Sequence, residues 1–329
     1  MFSCITFSKN VFIPLTNICR NRCHYCGFRR SPEDRDAVLM SSDEVERTLR
    51  RKGDATEALF TMGEGADEFE EVRKRLEEFG FDSMVDYVVE MNRIAVENGL
   101  LPHTNMGILS FDELKKLKKW NASMGLMLET SAIIEAHRES PGKAPELRIQ
   151  MIENAGKLKI PFTTGILVGI GESWKDRIES LRIIAELHRK YGHIQEVIIQ
   201  GFSPKRGTPM ENARAPKDEE IFRIVRIARR ILPEDVSIQV PPNLHDPYRA
   251  IVSGANDLGG ISSITPDFIN PEHEWPSEEH LRISLRGFPL RRRLPIYPPF
   301  ILKGWFSSEI SHLISLYSDE EGYENAEHL

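Results

Sequence analysis

The sequence has no long uninterrupted run of apolar residues, no excess of basic residues and few cysteines. A membrane-spanning helix needs about 18 or more apolar residues in a row, and the 329 residues contain no such stretch. The start of the chain also lacks the basic and apolar regions of a secretory signal. Nucleic-acid binding needs a basic field, whereas the formal net charge is -7. We therefore expect a cytoplasmic protein with no membrane and no nucleic-acid partner.

Three of the four cysteines lie close together, directly after the first predicted strand. Cys19, Cys23 and Cys26 have the spacing CxxxCxxC, which is not a disulfide framework but indicates a metal site. Three thiolates suit a four-iron cluster that keeps one iron without a protein ligand. A closed zinc site would need a fourth ligand, such as His24 or Cys4. The absence of a second CxxC from the sequence favours the open cluster over zinc or an electron-transfer centre.

Strand-like and helix-like patterns alternate through most of the chain, which predicts parallel βα units. Eight strands are predicted, the last of them weakly, at 11–15, 58–62, 101–105, 124–129, 162–168, 196–201, 236–240 and 251–264. Eight units suit an α/β fold of the TIM-type (β/α) barrel kind, full or partial, with an open six-stranded arc as the alternative. We expect a barrel core over 1–265 and a C-terminal extension over 266–329 that packs on the barrel.

Local signals place several helices and surface segments. Ser41 and Ser110 each have a Glu three residues later, which is the capping-box spacing at a helix start. Helices are also predicted after Pro216 and over 305–317 from apolar residues at helical spacing. The run of arginines at 291–293 is interpreted as a solvated helix end rather than an anion site. Residues 319–329 are expected to fray.

The segment from Cys19 to Cys26, with the aromatic Tyr25 before the third cysteine, resembles the signature of the radical S-adenosylmethionine superfamily. The resemblance implies the radical SAM barrel fold and a 4Fe-4S cluster whose open iron chelates the methionine end of S-adenosylmethionine. It also implies an external electron donor and a 5'-deoxyadenosyl radical as the reactive species, so that the cofactors carry the difficult chemistry.

A second stretch resembles the Gly-Gly-Glu motif of that superfamily, whose backbone receives the methionine amine. It is formed by Met62, Gly63 and Glu64, with Met where the first Gly usually stands. The resemblance implies that Gly63 and Glu64 bind the cofactor. A plain turn at the end of a strand is the alternative interpretation.

Three more positions match cofactor-binding residues of the superfamily. Glu129 matches an acidic residue that accepts the ribose hydroxyls. Arg148 matches an Arg that pairs with the methionine carboxylate, with a surface helix Arg as the alternative. The glycine-rich stretch 165–172, which includes Gly169, resembles the segment near the adenine, where glycine permits close approach.

Three sequence segments, at 101–105, 239–244 and 253–260, resemble the corresponding segments of a deazaflavin-forming branch of the superfamily. That resemblance implies a ring closure with ammonia release. Its small-molecule substrate is a tyrosine–uracil adduct, supplied by a partner synthase subunit. One alternative is another radical SAM enzyme, such as a menaquinone-pathway futalosine cyclase. Another is a non-catalytic zinc or iron-sulfur binding protein.

Polar residues at predicted strand ends are candidates for binding the substrate, because active sites of (β/α) barrels lie at that end. These candidates are Asn105, Gln200, Gln239, Asn256 and Asp257. Strand-end amides also commonly satisfy backbone groups, which is the alternative. His103 is a candidate proton acceptor during ring closure, and a packed, hydrogen-bonded histidine is equally compatible with the sequence.

Overall fold

The structure is a computed structural model and describes residues 4–325. Within this range the strands are β1 (Ile5–Thr16), β2 (Glu57–Met62), β3 (Leu101–Asn105), β4 (Ser123–Gly125), β5 (Phe162–Val168), β6 (Ile194–Gly201), β7 (Ser237–Gln239), β8 (Asp257–Ile261) and β9 (Leu290–Arg292). All neighbouring strands pair in parallel, in the order β2-β3-β4-β5-β6-β7-β8-β1-β9. Because β1 also pairs with both β2 and β8, the first eight strands close into a barrel. The predicted TIM-type fold is confirmed.

The α-helices of the described range mostly follow the strands and pack against them or against one another. They are α1 (Ser42–Leu49), α2 (Glu70–Glu78), α3 (Met84–Glu97), α4 (Phe111–Leu117), α5 (Pro145–Lys157), α6 (Trp174–Tyr191), α7 (Asp218–Ile231), α8 (Pro247–Val252), α9 (Glu278–Ser284), α10 (Pro298–Leu302) and α11 (Ser308–Tyr317). Both predicted capping boxes are present, at Ser41 and Ser110. No helix within residues 4–325 has the length and apolar character to cross a lipid bilayer.

The eighth strand differs from its prediction. The predicted range 251–264 contains the end of α8, a turn, and then β8 from Asp257 onward. Gly254 has φ 115°, a left-handed conformation that ends the helix and that L side chains rarely adopt. The strand therefore begins later than the apolar pattern predicts.

The arginine run at 291–293 is not a solvated helix end, which corrects the prediction. β9 pairs with the start of β1, and each arginine forms ion pairs. Arg291 contacts Asp319, Arg292 contacts Glu278, and Arg293 contacts Asp257. Acids that lie far away in the sequence neutralise the run, so the local charge pattern cannot identify its surroundings.

The segment 319–325 does not fray, in contrast to its prediction. A backbone bridge joins Ser318 to Glu324, and the Glu324 side chain is buried. The remaining residues of that prediction, 326–329, lie outside the described residues.

The barrel interior is only partly filled. Interiors of this fold are usually packed with large branched side chains, but here small residues such as Ser8, Thr163 and Gly260 line an internal cavity of about 420 Å³. Its walls include the cysteines after β1 at one end and Glu57 and Arg293, beside the starts of the strands, at the other. The cavity therefore extends through the barrel from its C-terminal mouth to its N-terminal end.

Candidate active site

The three cysteines of the predicted metal site border the mouth of the cavity. Their loop follows β1 and is held by two other loops of the barrel. The backbone N–H of Glu64 donates a hydrogen bond to Cys19 Sγ at 3.2 Å, and Ser140 Oγ donates one to Cys23 Sγ at 3.3 Å. The N–H of Cys26 donates a hydrogen bond to the carbonyl of Cys23, which forms a turn within the same loop. The fold thus brings the three thiols to one edge of the cavity.

The thiol set fits an iron-sulfur cluster. Burial raises the pKa of Cys19 to about 11 and also raises the pKa of Cys26, so these thiolates need nearby positive charge, which cluster iron supplies. Of the two candidates for a fourth zinc ligand, Cys4 lies at the opposite end of β1, against Tyr323. His24 does not border the cavity. Among the described residues, no three His, Cys, Asp or Glu side chains are arranged to hold a single metal ion.

Gly63 and Glu64, at the end of β2, both border the cavity. A Cβ on Gly63 would lie 2.0 Å from the carbonyl oxygen of Ile18, so only glycine permits this approach of the cysteine loop. The Glu64 carboxylate is buried between Arg20 Nη2, at 2.8 Å, and Arg148 Nη1, at 3.7 Å. This arrangement is more than a plain turn.

Glu129 follows β4 in a left-handed conformation, with φ 64°. Such a conformation is costly for a residue with a side chain and persists where the surroundings impose it. Its carboxylate lies 2.5 Å from Lys143 Nζ. Although burial disfavours its charge, Lys143 and then Arg148 hold the pKa of Glu129 below its ordinary value. The cavity wall therefore carries an ionised acceptor suited to ribose hydroxyls.

Arg148 is buried, so the alternative of a surface helix Arg is wrong. Its Nε donates to the carbonyl of Met127 at 2.6 Å and its Nη1 to that of Gly142 at 2.8 Å. These bonds aim the guanidinium at the cavity wall, which suits a partner of carboxylate geometry.

Tyr25 and Gly169 have different surroundings. Tyr25 borders the cavity, and its hydroxyl lies 2.9 Å from His137 Nε2. Gly169 has φ 101°, and its N–H donates to Glu172 Oε1 at 2.8 Å. Because Gly169 does not border the cavity, the structure gives it a role in turning the chain after β5.

Three of the predicted substrate residues lie at the C-terminal ends of their strands and border the cavity. They are Asn105 at the end of β3, Gln200 near the end of β6 and Gln239 at the end of β7. The structure thus brings these three amides into one space below the cysteines.

His103 borders the same cavity, and its tautomer is fixed by its neighbours. Ser123 Oγ donates its single proton to the carbonyl of Pro295 at 2.7 Å, so it must accept from His103 Nδ1, which lies 2.6 Å away. Nε2 then carries the lone pair and lies on the side of Asn105, whose side chain hydrogen-bonds to His103. Burial lowers the pKa of His103 to about 4, which keeps the ring neutral.

Asn256 and Asp257 lie at the N-terminal end of β8, which corrects their predicted position at a C-terminal strand end. Asn256 Oδ1 accepts from the N–H of Ile238 at 2.8 Å, and neither residue borders the cavity. Asp257 is fully buried against Arg293, with Nε–Oδ2 2.7 Å. The correction follows from the later start of β8.

Sequence reasoning missed Lys143 and a charged group at the N-terminal end of the cavity, formed by Ser8, Glu57, Gln195, Glu196 and Arg293. Lys143 lies in a 3-10 turn without periodicity and reaches Glu129 only in the fold. Glu57 and Glu196 do leave a signal, because each is a buried acid in a strand of mostly apolar residues. Such acids are almost never buried without a partner.

The class of protein follows from this geometry and from similarity to known proteins. Residues 13–184 match the Radical SAM superfamily, and the chain belongs to it. Members of this superfamily bind a 4Fe-4S cluster and S-adenosylmethionine, which the three thiols and the residues around them fit. Among solved structures, the chain is similar to the FeFe-hydrogenase maturase HydG from Carboxydothermus hydrogenoformans, with TM-score 0.69, 21% identity and coverage of 90% of this chain and 69% of that one. Methylornithine synthase, with TM-score 0.62, 20% identity and coverage of 95% and 86%, shares the same fold.

Curated relatives narrow the class. The chain is 58% identical over 322 residues to the 7,8-didemethyl-8-hydroxy-5-deazariboflavin synthase of Archaeoglobus fulgidus, covering 97% of this chain and 98% of that protein. It is 55% identical to the synthase of Methanosarcina mazei, covering 98% and 99%. It is 46% identical to that of Methanopyrus kandleri, covering 97% and 99%. The chain therefore belongs to the family of 7,8-didemethyl-8-hydroxy-5-deazariboflavin synthases.

Proposed function

We propose that this chain is a radical SAM lyase that forms the deazaflavin chromophore 7,8-didemethyl-8-hydroxy-5-deazariboflavin. The substrate is 5-amino-5-(4-hydroxybenzyl)-6-(D-ribitylimino)-5,6-dihydrouracil, and ring closure is accompanied by release of ammonia and a two-electron oxidation. S-adenosylmethionine would be the oxidant, because its cleavage to methionine and 5'-deoxyadenosine takes up two electrons. The observation that carries the proposal is a single cavity that joins the three thiols and the cofactor-binding residues to polar walls deeper in the barrel. The near-complete match to synthases of this name supports it.

When held by the three thiols and by Glu129 and Arg148, the cluster and S-adenosylmethionine would supply a 5'-deoxyadenosyl radical for abstraction of a benzylic hydrogen. The chain positions the reactants, because a primary carbon radical attacks any C–H bond within reach. Glu129 and Arg148 orient the nucleoside and the methionine end. Asn105 and the other two amides of the wall hold the substrate below them, and His103 Nε2 accepts a proton as the ring closes. Glu129, Arg148 and His103 are buried in the barrel, which limits their contact with water.

We also propose the partners and the location of the reaction. A companion synthase subunit supplies the tyrosine–uracil adduct, and an external donor supplies the electron that starts each turnover. The reaction takes place in the cytoplasm, because the free thiols of the cluster loop need a reducing compartment.

Anaerobic reconstitution with iron and sulfide tests the proposal. We expect a brown protein with about four irons per chain, which releases 5'-deoxyadenosine and converts the adduct to the deazaflavin, identified by its mass and absorbance. The substrate of the menaquinone-pathway cyclase serves as the comparison. Turnover of that compound alone would replace the proposal with the related cyclase. A colourless zinc protein would instead indicate a non-catalytic metal-binding protein.

A further inference from the structure

We propose that the charged group at the N-terminal end of the cavity is a subsite for the polyhydroxylated ribityl chain of the substrate. This inference rests on the proposed function and adds the direction in which the substrate lies. The group is named here the floor subsite and consists of Ser8, Glu57, Gln195, Glu196 and Arg293, all of which border the cavity. The benzyl group then faces the cysteines, and the ribityl chain points away from them.

The floor subsite is built from residues in the N-terminal parts of β1, β2 and β6 and from Arg293, which follows β9. Ser8 Oγ donates to Glu57 Oε2 at 2.6 Å, and Thr163 Oγ1 donates to Glu196 Oε2 at 2.9 Å. Arg293 Nη2 lies 3.5 Å from Glu196 Oε1. These contacts fix the carboxyl groups in place at the cavity wall, so that the polar surface is formed before any ligand binds.

The C-terminal segment completes the subsite. β9 brings Arg293 to the barrel axis, where Asp257 fixes the guanidinium through two hydrogen bonds, Nε–Oδ2 at 2.7 Å and Nη2–Oδ1 at 2.9 Å. Gln195 Nε2 donates to the carbonyl of Pro295 at 2.9 Å. The end of the cavity is therefore closed by the C-terminal segment and offers both donors and acceptors.

This chemistry favours a polyol over the other parts of the substrate. Each hydroxyl can both donate and accept a hydrogen bond, whereas an aromatic ring would cover Glu57 Oε1 without giving it a hydrogen bond, because Ser8 binds only Oε2. Burial raises the pKa of Glu57 and raises that of Glu196 to about 7. Glu196 can therefore be protonated near neutral pH and donate to a hydroxyl oxygen.

The length of the barrel supports the same orientation of the substrate in the cavity. From Glu57 to Gly63, β2 rises about 20 Å along its axis, at about 3.3 Å per residue. The benzylic carbon must lie next to the cofactor at the Gly63 end, since the radical reacts only with a neighbouring C–H bond. The part of the substrate that does not react therefore extends towards Glu57.

A variant tested against a truncated substrate measures this contact. The truncated substrate is the same adduct with a methylimino group in place of the ribitylimino group. We expect Glu57→Gln to lower kcat/KM for the full substrate about tenfold, equivalent to one lost hydrogen bond to a charged or polar group. The same variant should leave kcat/KM for the truncated substrate unchanged. Ser8→Ala should give the same pattern with a smaller loss, and it provides a second test if Glu57→Gln does not fold.

Glu324→Gln is the matched control. Glu324 is also a buried carboxyl with a raised pKa, and Thr56 Oγ1 lies 3.4 Å from its Oε2, but it is outside the cavity. We expect this variant to leave the ratio of kcat/KM for the two substrates at the wild-type value. An equal loss on both substrates in Glu57→Gln would overturn the subsite.

Two further outcomes distinguish a failure of the subsite from a failure of the proposed function. If the wild-type protein forms no deazaflavin from the full adduct, the proposed function fails. If it turns over the full and truncated adducts equally well, the function stands and the subsite is wrong. An adduct without the phenol hydroxyl tests the reverse orientation, since sensitivity of Glu57→Gln to that group alone would place the ring at the floor.

Discussion

Cys4 provides an internal control for the three cysteines at the mouth of the cavity, because it lies at the other end of β1. We expect Cys19→Ala, Cys23→Ala and Cys26→Ala each to abolish formation of 5'-deoxyadenosine, since two thiolates cannot retain the cluster. Cys4→Ala should keep wild-type iron content and activity. Iron analysis and product assays on reconstituted variants measure this. Retention of full iron by any of the three mouth variants would contradict the assignment.

The charge of Glu129 leads to a second prediction. Lys143 and Arg148 stabilise its carboxylate, and a hydrogen bond between a charged group and a ligand contributes about 1.5–3 kcal/mol. We therefore expect Glu129→Gln to raise the KM for S-adenosylmethionine by about tenfold or more. Glu135→Gln, which changes an exposed acid nearby, should leave the KM unchanged. An unchanged KM in Glu129→Gln would remove this residue from the cofactor site.

At the scale of single residues, the sequence is informative where the chemistry depends on the spacing of side chains along the chain. For Cys19, Cys23 and Cys26 the order of residues alone predicts a shared metal site, because their separation is typical of one. Lys143 and Arg293 cannot be assigned in this way. Arg293 meets Glu196, which lies 97 positions earlier in the chain, and such a contact has no local signature.

At the scale of elements, the first seven strands are predictable because their apolar runs are short, buried and separated by clear helical patterns. β9 is not predictable in this way, since it consists of Leu290 and two arginines. Its pairing with β1 depends on acids supplied by other elements, such as Glu278 for Arg292. The last strand of the sheet is thus specified by tertiary ion pairs rather than by an apolar pattern.

Arg293, which directly follows β9, also depends on an acid from another element, Asp257. This dependence predicts how stability changes when the charge of Arg293 is removed. Arg293→Met leaves Asp257 fully buried without its cationic partner, and breaking a buried pair costs about 3–5 kcal/mol. We expect this loss in the free energy of unfolding, measured with urea, and partial recovery in the double variant Arg293→Met with Asp257→Asn. Arg291→Met, at an exposed pair, should cost less than about 1 kcal/mol. Equal losses for the two single variants would contradict the argument.

At the scale of the whole molecule, the barrel combines a filled outer layer with an internal cavity that has charged residues at one end. Apolar side chains between the strands and helices form one continuous core, while the axis holds Glu57, Glu196 and Arg293. Stability is therefore supplied mainly by the outer layer, and the axis is available for ligand binding. Buried titratable groups are the consequence, and they make the stability of the whole protein depend on pH.

His193 is a buried titratable residue that lies outside the cavity. It is fully buried, and its Nε2–H donates to the carbonyl of Ile152 at 2.9 Å. Burial, and then the nearby His188, lower its pKa to about 3. In the unfolded chain a histidine has a pKa of about 6.5. Between these values the unfolded state binds a proton that the folded state does not, so stability decreases as the pH falls below about 6.5.

Substitution of His193 measures its share of this acid sensitivity. At about pH 5, protonation of the unfolded histidine favours unfolding by about 2 kcal/mol, while at about pH 7 it contributes almost nothing. His193→Gln keeps a donor for Ile152 but does not titrate. We therefore expect the free energy of unfolding of the reconstituted wild type to fall about 2 kcal/mol more than that of the variant between these two pH values. Equal losses in urea titrations of both proteins would show that His193 is already protonated in the folded state.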